Sequence, residues 1–514
     1  MIQPTRRTAW ICGALLAALV LLGFTFHDPI REKAFKVGPE QSSVEIPPPA
    51  STLHLLLPAS NGAVDLCKTF LTGAILGYPT PTLIAWNQTF NDGRLLGGGS
   101  HVAKVYGVLK HLEGMDSSTE NDLVMMMDAY DIWFQLRPEV LISRYHSVNR
   151  RANERLKQRL GNAYDEENVR QRIIFGAGKR CAPNQMHTIA CYPVPASPLP
   201  DDLYGGNTDT VMGKNKVSSL KQRYLNSGYI IGPQKDMLAL FRRAAEKVDA
   251  HSDHETWDNG SGGSDLMYHG SDQSIFNIMY GEQEYQREVL RRRHLTAAER
   301  LRGKAKPIPH YLEGTLVADP LKPDFTHEPG VEKDGAPDEF GIGLDLWSDL
   351  GQQTVNTEDD TRYLKFNKDT SEQVSSRNGL FDCKNRVTGV LPQDILSSPF
   401  PLVSLEQQNG LSWQTTPLFT NLCLNTIPVM IHHNGDKNAR AFHWPETWMQ
   451  QHARALMTEV WSREGGSEDT DGKSWKVANL PSGEFVTWGE TCPSWYEYEL
   501  FRDVEKPENE PPPA

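Results

Sequence analysis

The run Val124-Met125-Met126-Met127-Asp128-Ala129-Tyr130-Asp131 decides how this chain is read. Its apolar half, unbroken by any polar residue, describes a strand buried on both faces, as in a parallel sheet covered by helices. The strand runs straight into two carboxylates three positions apart. In open α/β sheets ligands gather beyond the carboxyl ends of the strands. Carboxylates placed there hold a hard divalent cation through oxygen, and such a cation can bridge two phosphates of a nucleoside diphosphate. It then neutralises the charge that develops on a departing diphosphate. A bare D-x-x-D is frequent by chance, and a helix-capping Asp beside a surface Asp is the bland alternative. The position directly after an apolar strand favours the metal reading.

The flanking pattern supports that strand. Residues 53–57 form a short apolar run, 64–76 a helix, 82–86 a second strand, 101–112 a second helix and 122–127 the third strand. This βαβαβ order predicts a parallel sheet with helices on it. A helix over 136–160 follows, with Pro138 near its first turn, and residues 173–175 and 229–231 read as further strands. The stretch from about 307 to 412 is polar, rich in Pro, Gly and Asp and poor in periodicity. It reads as an insertion or lid-like subdomain, and no internal repeat is evident.

Three further motifs carry candidate chemistry. Asn226-Ser227-Gly228 is a turn between apolar strands, where backbone approaches a ligand closely and an amide can bond sugar hydroxyls. Ser271-Asp272-Gln273 leads into an apolar helix, where an Asp is by itself a routine cap. Val429-Met430-Ile431-His432-His433-Asn434-Gly435-Asp436-Lys437 delivers two histidines to a strand end, then a glycine turn and a lysine. One neutral imidazole completes a metal site begun by the carboxylates, and Lys437 can meet a phosphate. Trp86 is a candidate for stacking on a base or sugar, as is Trp413, although Trp is as often core. Gly97-Gly98-Gly99 is not a P-loop, since no GK[ST] follows, and reads as a flexible loop. The basic run Arg150, Arg151, Arg155, Lys157, Arg159 and the triplet Arg291-Arg292-Arg293 read as solvated helix faces.

Taken in order, Asp128-Ala129-Tyr130-Asp131, Phe175-Gly176-Ala177-Gly178-Lys179-Arg180-Cys181-Ala182-Pro183, Tyr224-Leu225-Asn226-Ser227-Gly228, Ser271-Asp272-Gln273 and His432-His433-Asn434-Gly435 resemble the glycosyltransferase domain of the procollagen lysyl hydroxylase family, itself related to procollagen galactosyltransferases. The resemblance covers about 53–293 and resumes near 413–437. It implies a GT-A fold (a Rossmann-like mixed sheet with helices on both faces), Mn²⁺, and a UDP-sugar donor carrying galactose or glucose. It also implies that Asp128 and Asp131 are metal ligands with His432 as the third, and that Asn434 and Gly435 belong to the donor side. Asn226 and Asp272 fall where the family lines the sugar and acceptor. The family's glycine after the ligand histidine is His433 here, so either imidazole fits that role. About 160 positions separate Asp272 from His432, far more than in the collagen-modifying enzymes. Nothing after His432 supplies an H-x-D with a distant second histidine, so hydroxylation is not expected.

The chain has 514 residues, is 39 % hydrophobic and carries a net charge of −13, which argues against a nucleic-acid surface. Residues 8–26 hold no charge and follow Arg6 and Arg7, which predicts a signal anchor with 1–7 cytoplasmic and the rest luminal. A cleaved signal peptide is the alternative, but the run exceeds the usual h-region of about 7–15 residues. Residues 27–51 read as a stem, 52–445 as the catalytic domain and 446–514 as a C-terminal extension with a disordered, acidic, Pro-rich tail. Six cysteines beyond the anchor suit an oxidising lumen, with pairing open. The expectation is therefore a type II Golgi or ER membrane enzyme acting on a protein or glycan acceptor. A metal-dependent hydrolase and a catalytically silent binding module of the same fold are the competing classes.

Overall fold

A computed structural model describes residues 52–186, 188–205, 208–209, 216–252, 270–298, 339–375, 383, 385–401, 410–463 and 473–505. The expected anchor, the stem and the acidic tail beyond 505 lie outside the described residues, as does much of the expected insertion. Among the described residues no helix is long and apolar enough to cross a membrane.

An eight-stranded mixed sheet organises the chain. Its strands are β1 (Leu53–Pro58), β2 (Thr82–Ile84), β3 (Leu123–Met127), β5 (Ile173–Gly178), β6 (Tyr224–Pro233), β7 (Ile342–Leu344), β12 (Lys476–Asn479) and β13 (Phe485–Thr487), in the order β13-β12-β2-β1-β3-β6-β5-β7. β1 pairs in parallel with both β2 and β3, whereas β6 runs antiparallel to β3 and to β5. A smaller sheet contains β4 (Ile132–Phe134), β11 (Met430–His432) and β8 (Gly351–Gln353) in the order β4-β11-β8, and β9 (Thr361–Leu364) pairs with β10 (Leu418–Asn421).

The alternation of side chains along the central strands builds a core on each face. Met125 and Met127 of β3 join one cluster with helices α1 (Val64–Leu76) and α3 (Pro138–Leu160). Val124 and Met126 join the other with α2 (Ser100–Gly114), α4 (Gln234–Ser252) and α5 (Asp272–Arg293). All five β3 residues are buried. At about 1.5–3 kcal/mol for each large apolar side chain taken from water, this strand is among the strongest determinants of the fold. Pro138 opens α3, where its missing N–H costs nothing, and Gly77 closes α1 in the left-handed conformation at φ 80°.

Two expected segments contribute strands to the sheets. Of the expected insertion, residues 342–344 form the β7 edge of the large sheet and residues 351–353 form β8 beside β11, so this stretch is woven into the domain. The expected C-terminal extension likewise adds β12 and β13 to the same sheet and is tied to α1 by the Cys67–Cys492 disulfide. Strands this short carry almost no periodic signal, and β7 and β12 find their partners β5 and β2 far away along the chain. Cys181–Cys191 and Cys383–Cys423 complete the pairing of the six cysteines.

Candidate metal centre

Asp128 follows the last residue of β3, and its backbone N–H donates to the Gly228 carbonyl at 2.7 Å. The chain then turns through Ala129 and Tyr130, and Asp131 precedes β4. Thr69 on α1 holds this turn, its hydroxyl donating toward the carbonyls of Ala129 and Ile132 at 2.9 Å each. β4 pairs antiparallel with β11 in a register that sets His432 opposite Ile132, and the His433 N–H donates to the Asp131 carbonyl at 2.6 Å. A short strand from far down the chain thereby places an imidazole beside the two carboxylates.

The ligand atoms of Asp128, Asp131 and His432 lie within 4.8 Å of one another. His432 Nε2 stands 3.5 Å from Asp131 Oδ2 and 3.9 Å from Asp128 Oδ2. Asp131 Oδ1 is buried without a hydrogen-bond partner, so the carboxylate has bonding capacity that the protein leaves unused. Two carboxylates and one imidazole form a donor set suited to Mn²⁺ or a similar divalent ion, with room in its coordination sphere for further oxygens. The structure also separates the two histidines. His433 turns its ring into the core against Trp133 at 4.0 Å and His443 at 4.9 Å, and burial, followed by His443, Arg440, His432 and Lys68, pushes its pKa well below the usual value. His432 is the one that faces the carboxylates.

A cation of the protein's own sits next to this cluster. Lys104 on α2 places Nζ 2.6 Å from Asp128 Oδ1 and 2.9 Å from Asp272 Oδ2. His101, one turn earlier, meets the other oxygen of Asp272 at 2.7 Å, and the Ser227 hydroxyl donates to Asp272 Oδ2 at 3.0 Å. Burial works to raise the Asp272 pKa, but Lys104 and His101 outweigh it and hold the carboxyl well below the usual range. Asp128 goes the other way: burial, aided by Asp131 and Asp272, outweighs Lys104 and raises it. Asp131 is lowered because His432, Arg440 and Lys104 together exceed the effect of burial. The Lys104 ammonium is held above its ordinary value by the two carboxylates, against the desolvation that alone would lower it.

Arg440 braces the centre from behind. Its guanidinium meets Asp65 at 2.9 Å, the carbonyls of Tyr130 at 3.1 Å and His433 at 3.2 Å, and Asp131 Oδ2 at 3.5 Å. One side chain thus ties together α1, the D-x-x-D turn and the double histidine.

The other expected residues fall as follows. Asp272 is buried in the Lys104 cluster, one residue after the true N-cap, Ser271. Asn226 is nearly buried and spends its amide on its surroundings, donating to Gln273 at 2.9 Å and accepting from the Gly228 N–H at 3.1 Å. Asn434 likewise ties its turn to β8 through Gln353 at 2.9 Å and Val355 at 3.2 Å, and Gly435 takes φ 96°. Lys437 is exposed on the turn after β11, and Trp86 is half-buried beyond the end of β2, on the sheet edge that also bears Asp128. Trp413 is core, packed on Phe400 and Trp448 and donating to the Ser398 carbonyl.

Lys104, His101 and Arg440 escaped the sequence reading. The only signal for the first two was their spacing, one turn apart, after Gly97-Gly98-Gly99. Those glycines form a defined turn with φ of 57°, 67° and 99°, not a loose loop. Asp360 with Cys383 and Cys423 makes a second cluster of ligand-type side chains, but the cysteines are joined as a disulfide and offer no thiolate.

No protein-family model matches the chain, and no curated protein matches it significantly.

Proposed function

We propose that this protein is a Mn²⁺-dependent glycosyltransferase of the GT-A kind. On this reading it transfers a hexose, galactose or glucose, from a UDP-sugar to a hydroxyl of a protein or glycan. The resemblance of its motifs to the procollagen-modifying transferases points the same way. On the same reading it acts in the lumen of the Golgi or ER behind a signal anchor at 8–26. The observation that carries the proposal is the convergence of Asp128, Asp131 and His432 at the carboxyl end of β3, through the pairing of β4 with the distant β11.

Asp128, Asp131 and His432 would hold the metal, which when bound supplies a positive charge against the diphosphate leaving group. The chain's own residues account for the rest. Lys104 adds a second fixed positive charge beside Asp128. Asp272, kept anionic and immobile by Lys104, His101 and Ser227, is suited to accept hydrogen bonds from sugar or acceptor hydroxyls. A carboxylate held so low is poorly matched to take up a proton at neutral pH, so its role is orientation. Asn226 shapes the turn that brings the Gly228 backbone against the centre.

The test is Mn²⁺-dependent hydrolysis or transfer across a panel of UDP-sugars, comparing the wild type with Asp131→Ala. Turnover with one donor that disappears in the variant supports the proposal. Equal activity in the variant, or no binding of any UDP-sugar in the presence of Mn²⁺, refutes it.

A further inference from the structure

A cavity of about 130 Å³ lies between α3, α5 and the β7 edge of the large sheet. Tyr280, Glu284 and Arg287 line it from α5. Tyr280 is eight residues beyond Asp272, roughly 12 Å along the helix, so the cavity is separate from the metal centre.

The cavity carries an excess of positive charge. Four guanidinium groups line it: Arg155 and Arg159 from α3, Arg223, and Arg287. Glu284 is shared by Arg159 at 2.7 Å and Arg287 at 2.6 Å, and Arg287 is also held by Glu339 at 2.7 Å. Arg223 donates to the carbonyls of Val194 at 2.5 Å and Pro195 at 3.0 Å. Arg155 lies over the Trp347 ring at 4.7 Å; Asp349 and Glu154 act on it electrostatically, but among the described residues no carboxylate stands within ion-pair distance of it. Burial, then the neighbouring Arg151, brings the Arg155 pKa down to about 10, so the group stays charged at neutral pH in a place that disfavours charge.

The lining also holds a neutral donor with no acceptor. Gln171 is 6 % exposed, and its Nε2 has no hydrogen-bond partner. Tyr280 is 7 % exposed, and its hydroxyl lies in the field of Glu284 first and then of Arg159, Arg287 and Arg223. An unsatisfied amide and an unpaired guanidinium facing one hollow are each costly unless something fills it.

We infer that this cavity is a binding site for a tetrahedral oxyanion, a phosphate or sulfate group, held by Arg155, Arg159, Gln171 and Tyr280. The planar forks of the two arginines suit bidentate contact with such a group. Aromatic stacking on Trp347 pre-orients Arg155. The reading of this α3 arginine run as a wholly solvated face therefore fails for Arg155 and Arg159, which turn toward the cavity.

Isothermal titration of the whole protein with inorganic phosphate, at constant ionic strength and without divalent metal, tests the assignment. The expected result is saturable binding to one site, weakened about tenfold or more in Arg155→Gln through loss of a charged hydrogen bond, and unchanged in Asp128→Ala. Gln171→Leu serves as the second variant if Arg155→Gln does not fold, and should also weaken binding. Phenyl phosphate binding as well as phosphate assigns a phosphoryl group carried on a larger molecule, while its exclusion assigns the free ion. Absence of saturable binding, wild-type affinity in the cavity variants, or loss of binding in Asp128→Ala overturns the inference.

Discussion

The His432 imidazole occupies the space where a side chain of residue 228 would stand. A Cβ built on Gly228 would stand 2.1 Å from His432 Cε1, far inside van der Waals contact. The glycine of the Asn-Ser-Gly turn is therefore required by space. The same residue's carbonyl accepts the Asp128 N–H, so one backbone position sets both the carboxylate end and the imidazole end of the candidate metal centre.

Gly228→Ala should displace His432. Overpacking of this kind costs about 1–3 kcal/mol, which a domain of this size survives, so the variant should fold and lose Mn²⁺ affinity. Electron paramagnetic resonance of free Mn²⁺ during titration reads the outcome. Wild-type affinity would show that His432 is not a ligand.

Arg440→Ala should weaken metal binding about 10- to 100-fold, the usual effect of losing a group that orients a ligand. It should also lower stability, because breaking a buried ion pair costs about 3–5 kcal/mol, lessened here by Lys68, which still meets Asp65 at 2.9 Å. Metal titration and urea unfolding of the same preparation separate the two effects. A stability loss with unchanged metal affinity would make Arg440 purely structural.

Replacing both Cys67 and Cys492 by Ser should destabilise the protein by about 2–5 kcal/mol. The bridge joins α1 to the segment that follows β13 across a sequence separation of 425. The loss should appear as a lower urea midpoint, and limited proteolysis should first release the C-terminal strands. A midpoint equal to that of the wild type would show that the sheet alone holds this segment.

Asp345 supplies a pH signature. Burial, then repulsion by Asp349, raises its pKa to about 6, although it accepts hydrogen bonds from the Leu350 and Gly351 N–H groups and the Tyr229 hydroxyl. A carboxyl whose folded pKa exceeds its unfolded value binds its proton more tightly when folded. Its contribution is thus fully present below about pH 4 and is lost as pH rises through about 6, a change of about 3 kcal/mol at 1.36 kcal/mol per unit. The stability difference between wild type and Asp345→Asn, measured by urea unfolding from pH 4 to 8, should shift against the wild type over that window. A difference independent of pH would contradict it.

Much of the framework was legible because its signals are local. The unbroken apolar run of β3, the helix pattern of 64–76 and the Pro138 start of α3 each depend on near neighbours in the chain. The two carboxylates were equally readable, since they follow the strand directly. Asn226 and Asp272 were found as motifs, but not as what they touch.

Sequence by itself determined that a buried strand ends in a pair of acids and that two histidines end another. Tertiary structure alone decided that these ends meet, that His432 and not His433 faces the acids, and that Lys104 and Arg440 stand beside them. It also assigned the disulfides and drew β7, β12 and β13 into the large sheet. The physical reason is that periodicity and capping report energies set within a few residues. Strand pairing, ring orientation and ion pairing between distant segments are set by which surfaces exclude water together, and that is a property of the folded whole.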